Sequence, residues 1–311
     1  MTKGKFRPVL FSVLVLMHVM MVYALWYAFV NFSWHPRAIL QAFKDFDPQH
    51  IPSFWSALGG AFHPGFSIKA WMWFFVLHTL RQVGISLGYH RLLTHLAFKC
   101  HFGTKLVLSF LAGLAVQGTI LAWILDHMQH HWDTEGPLDP HSPYRYPGWR
   151  GFLWAHIAWM CFDVKRPNEN FGMIFKENNV RLLKWNRWIY PVAALSGFIL
   201  PFYFAGMDGL LLGGFLGVLL HLHLTWSVNS ICHLYGSIDK RFKAPGNARN
   251  NPVVCAAPSV IGEGYHFYHH AKADSAFLGW KWYHLDLGKW ILCAGEPLGI
   301  FWDIKRPRAG A

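Results

Sequence analysis

A run of 22 residues without a charge, from Val9 to Val30, constrains this chain more than any other feature. Its length matches the roughly 20 apolar residues that a helix needs to cross a bilayer, and Lys3, Lys5 and Arg7 precede it. A signal peptide has a shorter apolar core, about 7–15 residues, before a small-residue cleavage site. Only 14% of the 311 residues are charged, against about a quarter in soluble domains. The run therefore predicts a first membrane-spanning helix over about 9–30.

Three more apolar stretches predict spans at about 69–89, 188–206 and 209–228. The second stretch contains Arg81, which would cost about 2.5–3.5 kcal/mol at mid-membrane and is therefore expected in the protein interior or near a helix end. The last two stretches are separated by a turn at Gly206 to Gly209 and form a hairpin. The expected fold is an all-α integral membrane protein with four transmembrane helices in two hairpins, as a single membrane domain over 1–311.

The stretch from Leu106 to Leu125 is also long enough to cross a membrane, but histidine-rich segments at 90–95 and 127–131 flank it. One crossing would place these segments on opposite sides, so we expect an interfacial helix over about 106–125, or a chain that folds back. A helical cap formed by 90–187 and 229–311 then shares one side with both termini. That side carries 3 Lys/Arg before residue 9, 11 in 90–187 and 10 after residue 228. Because positive charges accumulate on the cytoplasmic side of membrane proteins, these numbers predict a cytoplasmic cap.

The positive formal charge of +12 would suit either a nucleic acid or an anionic lipid, and the 17 Trp favour lipid. Twenty His are the most unusual number in the composition. They include His90 and His95 in His-x4-His, two His-x2-His-His triplets, and an Asn and a His four residues apart on one helix face. The triplets are His127, His130 and His131, then His266, His269 and His270, and the pair is Asn229 and His233.

The histidine spacing predicts a metal centre. Positions i, i+3 and i+4 lie on one helix face, whereas an i,i+5 pair such as His90 and His95 shares a site only across a helix end or a distortion. Neutral imidazole is a good ligand for Fe or Zn. Nine clustered imidazoles without metal would leave nitrogens unsatisfied and, when protonated, mutually repelling. Nine His and one Asn suffice for two metals with four to six ligands each.

These motifs, in this order around two hydrophobic hairpins, resemble the membrane fatty acid desaturase family, specifically its Δ9-like acyl desaturase branch. The resemblance covers about 70–303 and implies two iron ions held by the nine His, with Asn229 reaching one of them through water. It implies a four-span, mushroom-shaped fold, O2 as co-substrate, and an external electron donor of the ferredoxin or cytochrome b5 type. It further suggests that Gln117, Trp123, Thr225 and Trp226 line the substrate tunnel.

Other polar residues receive secondary interpretations. Asp126 and Asp286 are candidates either to orient ligand imidazoles or to have helix N-terminal or surface roles. His141, in Asp139-Pro-His141, is interpreted as structural, and the intramembrane residues His78, His221 and His223 as interhelical hydrogen-bonding groups.

The sequence thus predicts an O2-dependent desaturase of a long acyl chain. Two alternatives stay open: the same cluster supporting hydroxylation, decarboxylation or acetylene formation, and a non-redox zinc protein. In the animal acyl-CoA branch an Arg usually precedes the Asp-His of the second motif, where this chain has Leu125. A lipid-linked or carrier-linked acyl chain is therefore as plausible as acyl-CoA, although Lys165, Arg166 and Arg241 offer alternative phosphate contacts.

Overall fold

The computed structural model describes residues 4–163, 178–256 and 262–307, so Lys165 and Arg166 lie outside the described residues. Within those ranges the chain is mainly helical, with four strands of two or three residues. The elements in chain order are α1 (Pro8–Asn31), β1 (Phe32–Trp34), α2 (Pro36–Lys44), α3 (Ile51–Ala61), β2 (Phe62–Pro64), α4 (Ile68–Val83), a π-helical segment (Gly84–Thr94), β3 (Lys99–Cys100), α5 (Phe102–Gly113), α6 (Ile120–Trp132), α7 (Trp149–His156), a 3₁₀ turn (Ala158–Cys161), α8 (Asn178–Gly209), a second π-helical segment (Leu210–Leu216), α9 (Gly217–Leu234), α10 (Pro252–Ala256), α11 (His266–Ala271), α12 (Leu287–Gly295) and β4 (Phe301–Trp302).

Two helical stretches of the described chain are long and apolar enough to cross a membrane, Pro8–Asn31 and Leu182–Leu234. The second stretch has 53 residues and contains one non-helical residue, Gly206, at φ 60° and ψ −147°. Beyond it the chain doubles back. The backbone at Gly209 lies so close to Pro201 that an added Cβ would be 1.9 Å from the carbonyl oxygen of Pro201. The apolar stretch therefore forms the helical hairpin that the sequence predicts, with its reversal at Gly206.

The predicted span over 69–89 coincides with α4 and the first π-helical segment, which is not one of the two stretches above. Most of its polar side chains, among them Gln82 and Ser86, are buried. Arg81 is fully buried, and its guanidinium donates to the carbonyl oxygens of Leu114 at 3.0 Å and Gly213 at 3.0 Å. These carbonyls belong to the chain after α5 and to the second π-helical segment, so Arg81 ties α4 to both. The expectation of an interior arginine is met.

The prediction of one interfacial helix over 106–125 is wrong in detail. The stretch is divided between α5 and α6, and the chain between them turns at Val116 (φ 56°) and Gly118 (φ 96°). The 12 residues of α5 span only about 18 Å, too short for a hydrocarbon core of about 30 Å. A Cβ on Gly84 would lie 2.1 Å from the backbone nitrogen of Ala112, so α5 packs directly on the π-helical segment. The stretch therefore forms two helices and not one, and its position at the membrane interface stays a prediction.

The histidines of the predicted spans behave differently from one another. The imidazole of His223 is hydrogen-bonded to His18 of α1 at 3.1 Å and to His156 of α7 at 3.0 Å, which confirms its interhelical role. The interpretation is wrong for His221, whose ring nitrogens have no hydrogen-bond partner among the described residues. His221 instead packs edge-on against the ring of His78 on α4, at 6.0 Å between centroids.

Candidate metal centre

The π-helical segment brings His90 and His95 together. The backbone N–H of His95 donates to the carbonyl oxygen of His90 at 3.1 Å, an i to i+5 bond that widens the turn. The two imidazole rings consequently lie 4.9 Å apart, between centroids. This is the helix distortion that the spacing requires.

The other predicted ligands come from three helices. Thr119 caps α6 by accepting from the backbone N–H of Ala122 at 3.3 Å, and the last two turns of α6 carry the second histidine motif. The short helix α11 carries the third motif, and α9 ends one residue after His233. All nine imidazoles converge between these helices.

The imidazole nitrogens form two groups. In each group, one ring nitrogen from every histidine lies within 4.8 Å of those of the others. The first group contains His90, His95, His127 and His269, and the second contains His130, His233, His266 and His270. The ninth, His131, places its Nε2 2.8 Å from that of His269 and 3.2 Å from that of His127, while its ring stacks on His270. His131 thus completes the first group and faces the second.

The spacing of these nitrogens fits bound metal ions. Within each group, neighbouring Nε2 atoms lie 2.8–3.2 Å apart. Two nitrogens bound to one metal at about 2.1 Å and at right angles would lie about 3 Å apart. A direct imidazole hydrogen bond needs one N–H and one lone pair, and a metal ion removes that requirement. The nine residues therefore fit two metal sites.

Carboxylates fix the orientation of three of these rings. The Nδ1 of His90 lies 3.0 Å from Glu263, that of His130 lies 2.9 Å from Asp139, and that of His233 lies 3.0 Å from Glu135. Because a carboxylate accepts, each Nδ1 is the donor and each Nε2 presents its lone pair to the centre. Without a metal ion, the Nε2 lone pair of His90 would face Nε2 of His269, and that of His130 would face Nε2 of His270.

Sequence reasoning missed Glu263 and Glu135 in this role. Glu263 stands in the Gly-Glu-Gly that opens the third motif, which was the available signal, whereas Glu135 lies in a turn after α6 without a comparable signal. The structure places the predicted orienting residue Asp286 elsewhere: its carboxylate accepts from the guanidinium of Arg91 at 2.8 and 3.1 Å. Arg91 also contacts Glu263 at 3.4 Å, so two side chains, those of Arg91 and Glu263, separate Asp286 from the imidazole of His90. Asp126 lines the cavity described below.

Electrostatics favour neutral imidazoles at the centre. Burial is the largest cause that lowers the pKa of seven of the rings well below its usual value, and neighbouring imidazoles add to it. These seven are His95, His127, His130, His131, His266, His269 and His270. Burial alone would raise the pKa of Glu263, but His90, Arg91 and Ser86 outweigh it and lower that pKa to about 2. The centre thus combines neutral ligand groups with an ionised carboxylate beside one of them.

A narrow cavity of about 80 Å³ adjoins His127. The four predicted tunnel residues and Asn229 all line it, together with His141. Three of them form a chain, in which Trp123 donates to Gln117 at 3.1 Å and Gln117 donates to Thr225 at 2.9 Å. This chain joins α6, the turn before it and α9 at the cavity wall.

Asn229 and His141 approach the centre without belonging to the two nitrogen groups. Asn229 lines the cavity beside His127, and its link to a metal through water stays a prediction. His141 packs 4.4 Å from His130, between ring centroids, and forms a further potential metal-binding group with His130 and Asp139. Burial and the neighbouring His130 lower the pKa of His141 to about 3.

Comparison with known proteins gives this centre a family. The fatty acid desaturase family model matches residues 66–296, which include every predicted ligand. The chain is 32% identical to Delta-9 acyl-lipid desaturase 1 of Arabidopsis thaliana, over 75% of this chain and 74% of the relative. It is 29% identical to hex-5-enoyl-(acyl-carrier protein) acetylenase of Moorena producens (strain JHB), over 74% and 75%. It is 32% identical to the acyl-CoA C20 Delta5-desaturase of Anemone leveillei, over 78% and 76%.

The helices, the histidine centre and these similarities define the class: the chain belongs to the fatty acid desaturase family and is an oxidoreductase. Its relatives include desaturases and an acetylenase.

Proposed function

We propose that this protein is an O2-dependent di-iron desaturase that introduces a double bond, at a Δ9-like position, into a long acyl chain within a membrane. One observation carries the proposal: two groups of converging imidazole nitrogens lie beside a narrow cavity lined by Trp123, Trp226 and Leu222. The aromatic and aliphatic part of this lining, which also contains Gln117, Thr225 and Asn229, can contact the reacting methylenes of a hydrocarbon chain.

Redox chemistry favours iron over zinc in these sites. An unactivated methylene offers no acidic proton to a general base, and zinc has no redox change to contribute. Bound iron would supply the oxidising power with O2, while the protein supplies position and excludes water. The first group, with His131, would hold one ion and the second group the other. Asn229 would complete the second site through a water molecule.

The cavity residues would position the substrate. The hydrogen-bond chain from Trp123 through Gln117 to Thr225 holds a fixed wall beside His127. A fixed wall determines which two methylenes lie nearest to the centre, and therefore where the double bond forms. Trp226, which is 3% exposed, forms the adjacent wall.

The membrane arrangement that fits this function has four spans, over about 9–30, 69–89, 188–206 and 209–228. Both termini, the cap and the metal centre would lie on the cytoplasmic face, where the positive charges accumulate. A water-soluble donor, of the ferredoxin or cytochrome b5 type, would then reach the cap. The two stretches with membrane-spanning length and the apolar exposed surface of α1 support this arrangement.

The acyl carrier is proposed to be a glycerolipid or a carrier protein at least as readily as CoA. Leu125 stands where an Arg would add a charge-assisted contact to an anionic headgroup, worth about 1.5–3 kcal/mol. Arg241 is held by Asp239 at 2.9 Å and offers a partly neutralised charge. The relatives are named for an acyl lipid, an acyl-carrier protein and acyl-CoA, so only a direct comparison of substrates decides.

Metal analysis and product analysis together test the proposal. Protein purified anaerobically from iron-replete cells should hold two iron ions per chain. His131→Ala and His270→Ala should each lose metal and activity, whereas His101→Ala, at an exposed position, should lose neither. Reduced enzyme offered acyl-CoA, acyl-carrier protein and glycerolipid in parallel should yield an acyl product two mass units lighter. One metal per chain, or fully active His131→Ala protein, would refute the di-nuclear centre.

Acetylene formation is the second candidate, supported by the 29% identity to the acetylenase. Removal of two hydrogens from an existing double bond would use the same residues. Saturated and monounsaturated chains offered side by side distinguish the two, since an acetylenase converts only the latter.

A further inference from the structure

A continuous series of aromatic rings leads from the surface of the cap toward the metal centre. Trp282 is 88% exposed, and its ring lies 5.6 Å from that of Tyr283. Tyr283 lies 5.0 Å from His284, and His284 lies 4.4 Å from Trp280. Trp280 stacks on the buried ring of Tyr268, also at 4.4 Å between centroids.

The inner end of this series meets the third histidine motif at two points. Tyr268 is the residue before His269, and Tyr265, which stacks on His284 at 4.3 Å, is the residue before His266. One branch therefore leads to each group of imidazoles. An isolated surface tryptophan has no such connection to a buried site.

The outer end of the series is basic. The Nζ of Lys281 lies 5.5 Å above the ring of Tyr283, and the guanidinium of Arg241 lies 5.7 Å from the ring of Phe242, which packs against Trp280 of the series. Lys240 beside Arg241 is exposed, and one acidic residue, Asp239, pairs with Arg241. We call the surface formed by Lys240, Arg241, Lys281, Trp282 and Tyr283 the aromatic basic patch.

We propose that the aromatic basic patch is the docking surface for an acidic, one-electron carrier protein that reduces the metal centre. This rests on the proposed function, whose balance requires an external reductant. A –CH2–CH2– unit, O2, two electrons and two protons give –CH=CH– and two water molecules, and each oxidised carrier leaves with one electron fewer. Two carriers thus dock in succession in each turnover. The patch offers exposed aromatic side chains as anchors and cations for an acidic partner.

The inward series of rings favours a carrier protein over a lipid surface. Trp and Lys together also suit a membrane interface, but a lipid contact would not require Trp280, His284 and Tyr268 to connect the patch with the ligand helix. Electron entry benefits from a donor held at the outer end of that short path. Contact of the patch with lipid is therefore the competing outcome of the test below.

A binding measurement on the protein in nanodiscs tests the proposal. The probes are an acidic plant-type ferredoxin and the soluble domain of cytochrome b5, and biolayer interferometry measures the Kd of each. Trp282→Ala/Tyr283→Ala should raise the Kd for the better of these probes at least tenfold. Lys281→Gln should raise it about threefold and reduce its dependence on salt. The matched control is Trp149→Ala, because Trp149 is also exposed, at 68%, and also lies beside a cation, Arg150. Neither binding measurement depends on turnover.

Two results would overturn the proposal. One is an equal Kd of the better-binding probe for wild type, Trp282→Ala/Tyr283→Ala and Trp149→Ala, or no measurable binding of either probe to wild-type protein. The other is quenching of the Trp282 fluorescence by brominated lipids in the nanodisc, measured as the difference from Trp282→Phe, since this would place the patch against the bilayer. Failure of the proposed function is separable: wild-type protein reduced with dithionite would then form no unsaturated product, whatever the carrier binding.

Discussion

Glu263 holds the imidazole of His90 through an Nδ1 contact of 3.0 Å, and the same carboxylate faces Arg91 at 3.4 Å. His90 and Arg91, which are adjacent in the first histidine motif, thus share the carboxylate of Glu263, which precedes the third motif. His90 is oriented for metal binding while Arg91 keeps the carboxylate ionised, which connects the π-helical segment to the segment before α11. Metal affinity should therefore depend on Glu263 although it is not a predicted ligand.

Glu263→Gln should weaken metal binding by about 10- to 100-fold, the usual effect of losing a carboxylate behind a ligand imidazole. The amide keeps the shape of the side chain but loses the charge that strengthens the Nδ1–H bond. Competition with a chelator, followed by metal analysis, measures the change. Glu296→Gln is the matched control, because Glu296 pairs with Arg306 at the surface. Equal metal retention by both variants would contradict the role of Glu263.

Much of the centre could be predicted from the sequence, because helical spacing alone places His127, His130 and His131 on one face. The i,i+5 pair was different: the spacing of His90 and His95 required a distortion without specifying which kind, since a π-helical turn depends on packing against α5. The break at Gly118 was also hidden, because the apolar run continues through it. Glu135 could not be assigned, since a turn residue reaches His233 only through tertiary contacts.

Asp286 should stabilise the fold more than it tunes the metal. Its carboxylate is fully buried and accepts from Arg91 and from the backbone N–H groups of Leu278 and Lys289. Removing one partner of a buried ion pair costs about 3–5 kcal/mol, so Asp286→Asn should lower the Tm by about 6 °C or more.

Asp303→Asn provides the comparison for this prediction. Asp303 pairs with Lys99 at 2.7 Å, but both side chains are more than 60% exposed, and exposed pairs contribute about 0–1 kcal/mol. Thermal unfolding in one detergent should therefore separate the two variants clearly. Similar Tm values for both would show that the buried pair does not stabilise the cap.

Cysteine labelling tests the proposed topology, because Cys293 is exposed and the other described cysteines are buried. Burial raises the pKa of the Cys100 thiol to about 11 and that of Cys255 to about 12, so neither should react at neutral pH. A membrane-impermeant maleimide should label Cys293 from the cytoplasmic side only. In the double variant Cys293→Ser/Ser53→Cys it should label from the opposite side only. Labelling of both proteins from one side would refute the four-span arrangement.

The cavity wall should control where the double bond forms. Thr225 accepts from Gln117 at 2.9 Å and itself donates to the carbonyl oxygen of His221 at 3.0 Å, so its hydroxyl anchors the Gln117 side chain that holds Trp123. Thr225→Val preserves the shape but leaves the Gln117 amide without this acceptor, a loss of about 1–3 kcal/mol. We expect turnover to fall about tenfold and the double bond to spread over neighbouring carbons, because the wall is no longer fixed. Thr225→Ser retains the hydroxyl and should keep a single product. Mass spectrometry of derivatised products locates the double bond in each case, and identical product distributions for Thr225→Val and Thr225→Ser would exclude the hydroxyl as a positioning group.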